Sequence, residues 1–233
     1  MLGIRMMAMP GMLMTVSIAA RAQSPDWRAV DAAMARPGAM QPDGTYRFAF
    51  PRGDLHVTVD GVVIKPALAL GGWIAFKAMP GGAVAMGDLV LADGELTPVV
   101  TRLQAGGVEV TAIHHHLIRE SPRVLYVHVH AHGDAVKVAE AIRAAMSLTG
   151  TPAPAAATAP SASNAPFDLD TAQVAKVLGT RGKVNGGVYQ VSVPRAQAVR
   201  DGGMELPPSM GISTAINFQP TGPGKAAITG DFP

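Results

Sequence analysis

Apolar residues along the chain recur in two rhythms, alternation and a spacing of three to four, and the switches between them outline the elements. Trp27, Val30 and Met34 share one helical face behind Asp26, a residue suited to capping, and Pro37-Gly38 ends that helix. Thr45–Pro51 (TYRFAFP) and Leu55–Val59 (LHVTV) alternate in strand fashion, and Asp60-Gly61 predicts a tight turn into Val62–Lys65. Long apolar runs over Leu68–Met79 and Ala83–Leu91, joined at Pro80-Gly81-Gly82, predict two strands covered on part of both faces. Leu96, Val99, Val100 and Leu103 form a helical stripe that opens on Thr97-Pro98 and stops at Gly106-Gly107. Two histidine-bearing strands follow. Gly133-Asp134 then opens a helix with Val138, Ile142 and Ala145 on one face and Lys137, Glu140 and Arg143 on the other. This order predicts an α+β fold, a mostly antiparallel sheet with helices packed on one side.

Residues Thr149–Pro166 (TGTPAPAAATAPSASNAP) carry neither charge nor apolar period and predict an extended, mobile linker. Beyond them the chain starts again. Tyr46–Arg52 (YRFAFPR) is echoed by Tyr189–Arg195 (YQVSVPR), and Gly87-Asp88-Leu89 by Gly230-Asp231-Phe232, both at an offset of 143 residues. Pro66 and Phe76 match Pro208 and Phe218 at 142. Several anchors at nearly one spacing predict an internal duplication, with Asp170–Leu178, stopped by Gly179, answering to Asp26–Ala35. The second copy ends at Pro233, before any counterpart of the histidine strands, and reads as a truncated product with an incomplete core. The plan expected is a signal peptide over 1–22, a first module over 23–148, the linker over 149–166 and a partial second module over 167–233. That last part packs on the first module, pairs with another chain to give an oligomer, or stays poorly ordered.

The 233 residues are 48% hydrophobic and 15% charged, enough apolar material for one or two small cores, which excludes a disordered chain. The formal charge of +2 is scattered, so no nucleic-acid partner is expected. Arg5, the apolar Met6–Ala20 and Ala20-Arg21-Ala22 have the order of a secretory signal cleaved after Ala22. Its apolar part is too short and too broken by Pro and Gly to leave a stable membrane span. With no cysteine there is no disulfide framework, lipid attachment site or thiolate. An exported chain held by its core alone fits a periplasmic or secreted protein.

Six of the seven histidines fall within residues 108–134. Alternation puts His114 and His116 in one row, and Tyr126, His128, His130 and His132 in another, with Leu125, Val127 and Val129 toward the core. An antiparallel hairpin turning near Ser121 sets His114 opposite His128, with His116 and His130 diagonal to them on the same face. Imidazole is the commonest protein ligand for zinc and related metals. The rows therefore predict a divalent transition metal, zinc being one candidate, held by His114, His116, His128 and one of His130 or His132. Glu120 at the turn is the candidate general base for metal-assisted hydrolysis, and Asp54, beside Arg52, and Asp88, at a strand end, are further carboxylates that could complete the site. The alternatives are a non-enzymatic envelope module whose histidine face and Tyr126 bind a small polar ligand such as a glycan, and histidines with a structural role alone. No HExxH spacing and no Gly-x-Ser-x-Gly elbow occurs. Arg52 with Asp54 reads as a structural ion pair, and His56 as an exposed strand residue.

The segment TAIHHHLIRESPRVLYVHVHAHGDAVKVAEAIRAAM, with PRGDLHVTVDGVVIKPALALGGWIAF upstream, resembles the LppY/LpqO family of exported bacterial proteins, a domain-of-unknown-function family. The resemblance implies two copies of a module, each with a His-x-His, an acidic residue before Pro-Arg, a strand histidine and a Gly-Asp helix start. Here these are His114 and His116, Glu120, Pro122-Arg123, His128 and Gly133-Asp134, with His132 included. The chain departs by ending before the second set, and no activity comes with the resemblance.

Overall fold

The structure, a computed structural model, describes residues 24–154 and 167–232. The expected signal segment lies outside the described residues, as do positions 155–166 of the expected linker. Asp26 caps α1 (Trp27–Met34) by accepting from the Arg28 N–H, and the helix buries Val30 and Met34. β1 (Ala39–Met40) and β2 (Tyr46–Pro51) follow, then the short hairpin of β3 (Thr58–Val59) and β4 (Val62–Val63) around Asp60-Gly61. Only the end of the strand expected over Leu55–Val59 forms one. Where the start of the next strand is expected, α2 (Pro66–Ala69) makes one helical turn instead. Pro66 at its first position has the φ that a helix needs, and the Leu70 N–H closes the turn on the Pro66 carbonyl. β5 (Gly71–Met79), β6 (Gly82–Ala92), α3 (Leu96–Ala105), β7 (Glu109–His114), β8 (Glu120–Ser121), β9 (Val124–Gly133) and α4 (Ala135–Met146) complete this segment.

Six strands form one antiparallel sheet in the order β1-β2-β5-β6-β9-β7, and β4-β3-β8 a smaller one, which makes the class α+β. Alternation divides the central strands between two faces. Ile74 and Phe76 of β5, Leu89 and Leu91 of β6, and Val127 and Val129 of β9 form one core with Val30, Val99, Leu103 and Ile142 of α1, α3 and α4. Tyr126, His128, His130 and His132 therefore point away from these helices. Gly87 is a close-packing point on the helix face. A Cβ there would stand 2.3 Å from Ile74 Cδ1 and 2.6 Å from the Trp73 carbonyl oxygen, so a bare backbone lets β5 and β6 pair beside Asp88.

The C-terminal segment covers part of the opposite face. It runs α5 (Thr171–Leu178), β10 (Lys183–Asn185), β11 (Val188–Val193), β12 (Arg200–Asp201), β13 (Met204–Glu205), β14 (Thr214–Gly222) and β15 (Lys225–Asp231). Its sheet order, β10-β11-β14-β15, matches β1-β2-β5-β6, and in both segments a two-residue hairpin and a helical turn starting on proline lie between the second and third strands. Of the three fates open to this segment, it packs on the first. Val188 joins Leu68, Leu70, Val90 and Tyr126 in one cluster, while Leu206 and Met210 join Ala75 and Val84 in another. The buried Gln219 accepts from the Lys65 N–H at 2.8 Å and donates to the Val63 carbonyl at 2.7 Å, so its amide is satisfied across the joint. The start of the expected mobile linker is also fixed. Gly150 N–H donates to Glu95 Oε1 at 2.7 Å, and Arg36 donates to the Pro152 carbonyl at 2.7 Å.

Candidate metal centre

His114 and His128 share a face as alternation predicts, but in another register. His114 pairs with Tyr126 and Ala112 with His128, two residues from the expected pairing, and an even shift keeps the face. An irregularity at Thr111 makes this so. Before it Val110 pairs with Val129, and continuing that register would set His114 opposite Leu125, toward the helices. The extra residue turns His114 toward the histidine row of β9.

The Nε2 atoms of His114 and His128 lie 3.0 Å apart. His116, from the loop after β7, packs over Tyr126 with ring centroids 4.1 Å apart. Each of the three offers a nitrogen, and these nitrogens all lie within 4.8 Å of one another. Asp88 pairs with His128 across β6 and β9, and its Oδ2 stands 3.6 Å from His116 Nε2 and 3.7 Å from His128 Nε2. The other carboxylate oxygen, Asp88 Oδ1, and His116 Nε2 are both buried without a hydrogen-bond partner. A tetrahedral zinc ion with bonds of about 2.0–2.2 Å holds its donors roughly 3.3 Å apart, close to the spacing of the three imidazole nitrogens and of Asp88 Oδ2 from His116 and His128. The donor set fits a metal.

Electrostatics agrees with the geometry. Burial pushes the His116 imidazolium down to about 4, with His114 and His128 adding and Asp231 opposing. Burial also lowers His128, reinforced by His114. Imidazole is thus held neutral, the form that ligates. Burial pushes Asp88 up to about 7, with Asp231 adding and Arg47 opposing. Arg47 offsets only part of the cost of ionising this carboxylate, and a bound cation would offset more. Burial, then the charges of Asp88 and Glu120, keep Tyr126 well above the ordinary phenol range, and its hydroxyl donates to the Ala69 carbonyl at 2.6 Å.

The five candidate histidines do not surround one ion. Strand rise is about 3.3 Å per residue, so His132 lies roughly 13 Å along β9 from His128, beyond a shared coordination sphere. His130 and His132 instead meet Asp201 of β12, each presenting Nε2 2.9 Å from its Oδ2. Glu120 is buried on β8 and stands 3.3 Å from His115 Nδ1, while Arg123 reaches His115 Nε2 at 2.8 Å. Asp54 is held by Arg52 at 2.7 Å, and His56 is exposed. Asp88 stands beside His116 and His128, whereas the sequence assigns no role to Asp201 or Asp231. The Gly-Asp echo is the only sequence signal for Asp231, and Asp201 has none.

Fold and site together define an α+β protein whose sheet carries histidine and carboxylate groups that could hold a metal ion. The chain belongs to the family described as Domain of Unknown Function (DUF1259), whose model matches residues 28–148 and 172–233. No curated protein and no solved structure matches the chain. Among the described residues, no helix is long and apolar enough to cross a membrane.

Proposed function

We propose that this chain is an exported, periplasmic protein of LppY/LpqO type that binds zinc or a similar divalent metal through His114, His116 and His128, with Asp88 as the fourth ligand. The observation that carries this reading is the pair of buried atoms without partners, Asp88 Oδ1 and His116 Nε2, beside two further imidazole nitrogens. Native interiors rarely leave such atoms unsatisfied. A cation satisfies the imidazole nitrogen and balances the carboxylate charge together. Binding is the function proposed, ahead of hydrolysis, because Glu120, expected as the general base, does not join the donor group of His114, His116 and His128. The glycan alternative draws no support from Tyr126, which is 3% exposed with its hydroxyl bonded to the backbone. We also infer that residues 167–232 are a partial second copy of the fold of 24–92, on the matching element order and the family match in both segments.

Zinc at a hundred times its dissociation constant stabilises the folded chain by about 2.7 kcal/mol, which raises Tm by roughly 5–10 °C. Metal analysis after dialysis should show that His128→Ala and His114→Ala each retain one equivalent fewer than the wild-type chain. Uptake in both variants equal to wild type would remove the reading.

A further inference from the structure

β9 carries a second cluster that the trio does not use. His130 and His132 are two residues apart on one face, with ring centroids 4.7 Å apart, and both Nε2 atoms converge on Asp201 Oδ2 at 2.9 Å. All three donor atoms lie within 4.8 Å of one another. The groups are half-open to solvent, with side-chain exposures of 20% for His130, 40% for His132 and 26% for Asp201, so an ion has a route in. Two imidazoles and one carboxylate on one side of a point leave the remaining coordination positions free, the donor set that transition metals accept with water or a ligand opposite.

The placement of Asp201 sets this cluster apart. It comes from the β12–β13 hairpin of the C-terminal segment, 71 residues beyond His130. Neighbouring contacts hold that hairpin and the turn after it against the sheet. Leu206 and Met210 pack on Ala75 and Val84, Arg47 donates to the Ser209 carbonyl at 2.9 Å, and the Ser209 N–H donates to Asp43 Oδ2 at 2.9 Å. The carboxylate is thereby positioned by contacts that do not involve the imidazoles, as a preorganised ligand must be.

We infer that His130, His132 and Asp201 form a second, separate metal position that ties the C-terminal segment to the histidine sheet. A metal bound there has ligands from both segments, so it binds the docked arrangement and not the undocked one, and occupancy stabilises docking. This inference rests on the reading that β9 imidazoles ligate metal, but it concerns different residues and can fail separately.

Zinc titration of the full chain, followed by amide hydrogen exchange, tests it. Zinc should slow exchange across Arg200–Glu205 in the wild-type chain and in His128→Ala, which lacks the trio. Asp201→Asn keeps an oxygen that accepts from an imidazole and loses the anionic ligand. Its exchange there should not respond to zinc, and its affinity for this equivalent should fall by about tenfold to a hundredfold. His132→Gln, at a more exposed position, should lose the same response and guards against a folding defect in Asp201→Asn. A zinc response in Asp201→Asn equal to wild type, or none in the wild-type chain, would overturn the second position. If His128→Ala still binds every equivalent while Asp201→Asn loses one, the trio fails and this inference stands.

Discussion

Replacing Arg52 by methionine lowers the unfolding free energy by about 3–5 kcal/mol and Tm by roughly 6–20 °C. Arg52 is 1% exposed and anchors three separate parts of the chain. Its guanidinium donates to both oxygens of Asp54 at 2.9 and 2.7 Å, to both oxygens of Glu95 at 2.7 and 3.1 Å, and to the Val90 carbonyl at 2.7 Å. Methionine fills most of the volume, so the loss is chiefly electrostatic. Two carboxylates would remain side by side with no cation, and Glu95, which also accepts from the Ala92 and Gly150 N–H groups, cannot turn away without releasing both. Arg52→Lys keeps the charge but not the fork and should fall between. Urea unfolding measures the effect, with the midpoint reduced and the slope unchanged. The zinc-dependent rise in Tm should survive in both variants because Arg52 has no part in the trio.

Asp88→Asn should give the opposite sign, a metal-free protein more stable than wild type that no longer gains from zinc at the trio. Burial raises the folded-state pKa of Asp88 from the ordinary 3.8 to about 7. Below pH 4 the carboxyl is protonated in folded and unfolded chains alike and costs nothing. Between pH 4 and 7 the unfolded chain ionises while the folded one resists, so stability falls as pH rises, and above 7 the full penalty is present. Three pKa units correspond to a few kcal/mol, on the order of 2–4. The gain of Asp88→Asn over wild type should thus be negligible near pH 4 and largest near pH 8, read from Tm in the presence of a chelator. Zinc should reverse the order, because bound metal relieves the wild-type carboxylate and finds a weaker ligand in asparagine. A variant less stable than wild type at pH 8 without metal would show that Asp88 is satisfied in some other way.

Much of the fold can be read in the sequence because α1, α3, α4, β5 and β6 are long enough for apolar periodicity to report their buried faces. Helix α2 escapes that signal. Its Pro-Ala-Leu-Ala has the apolar content of a strand, and what makes it a turn is Pro66 at the first position with a backbone bond from Leu70. The hairpin register escapes for a related reason. Thr111 is an ordinary strand residue, and the irregularity that rotates His114 onto the face of His128 arises from pairing with β9. Alternation gives the shared face correctly, but not how far along it two residues can still meet, and so one of His130 or His132 is expected at the ion of His114, His116 and His128 where strand rise separates two groups. Asp88 carries a local cue, as a carboxylate within an apolar strand. Asp201 carries none, because only docking of the C-terminal segment brings it to His130 and His132.

X-ray absorption at the zinc edge, on the chain loaded with one equivalent, tests the trio most directly. The account predicts three imidazole nitrogens and a carboxylate oxygen at about 2.0–2.2 Å, with the outer-shell scattering of histidine rings lost stepwise in His114→Ala and His128→Ala. A shell of oxygen atoms without imidazole scattering, unchanged by either substitution, would contradict it.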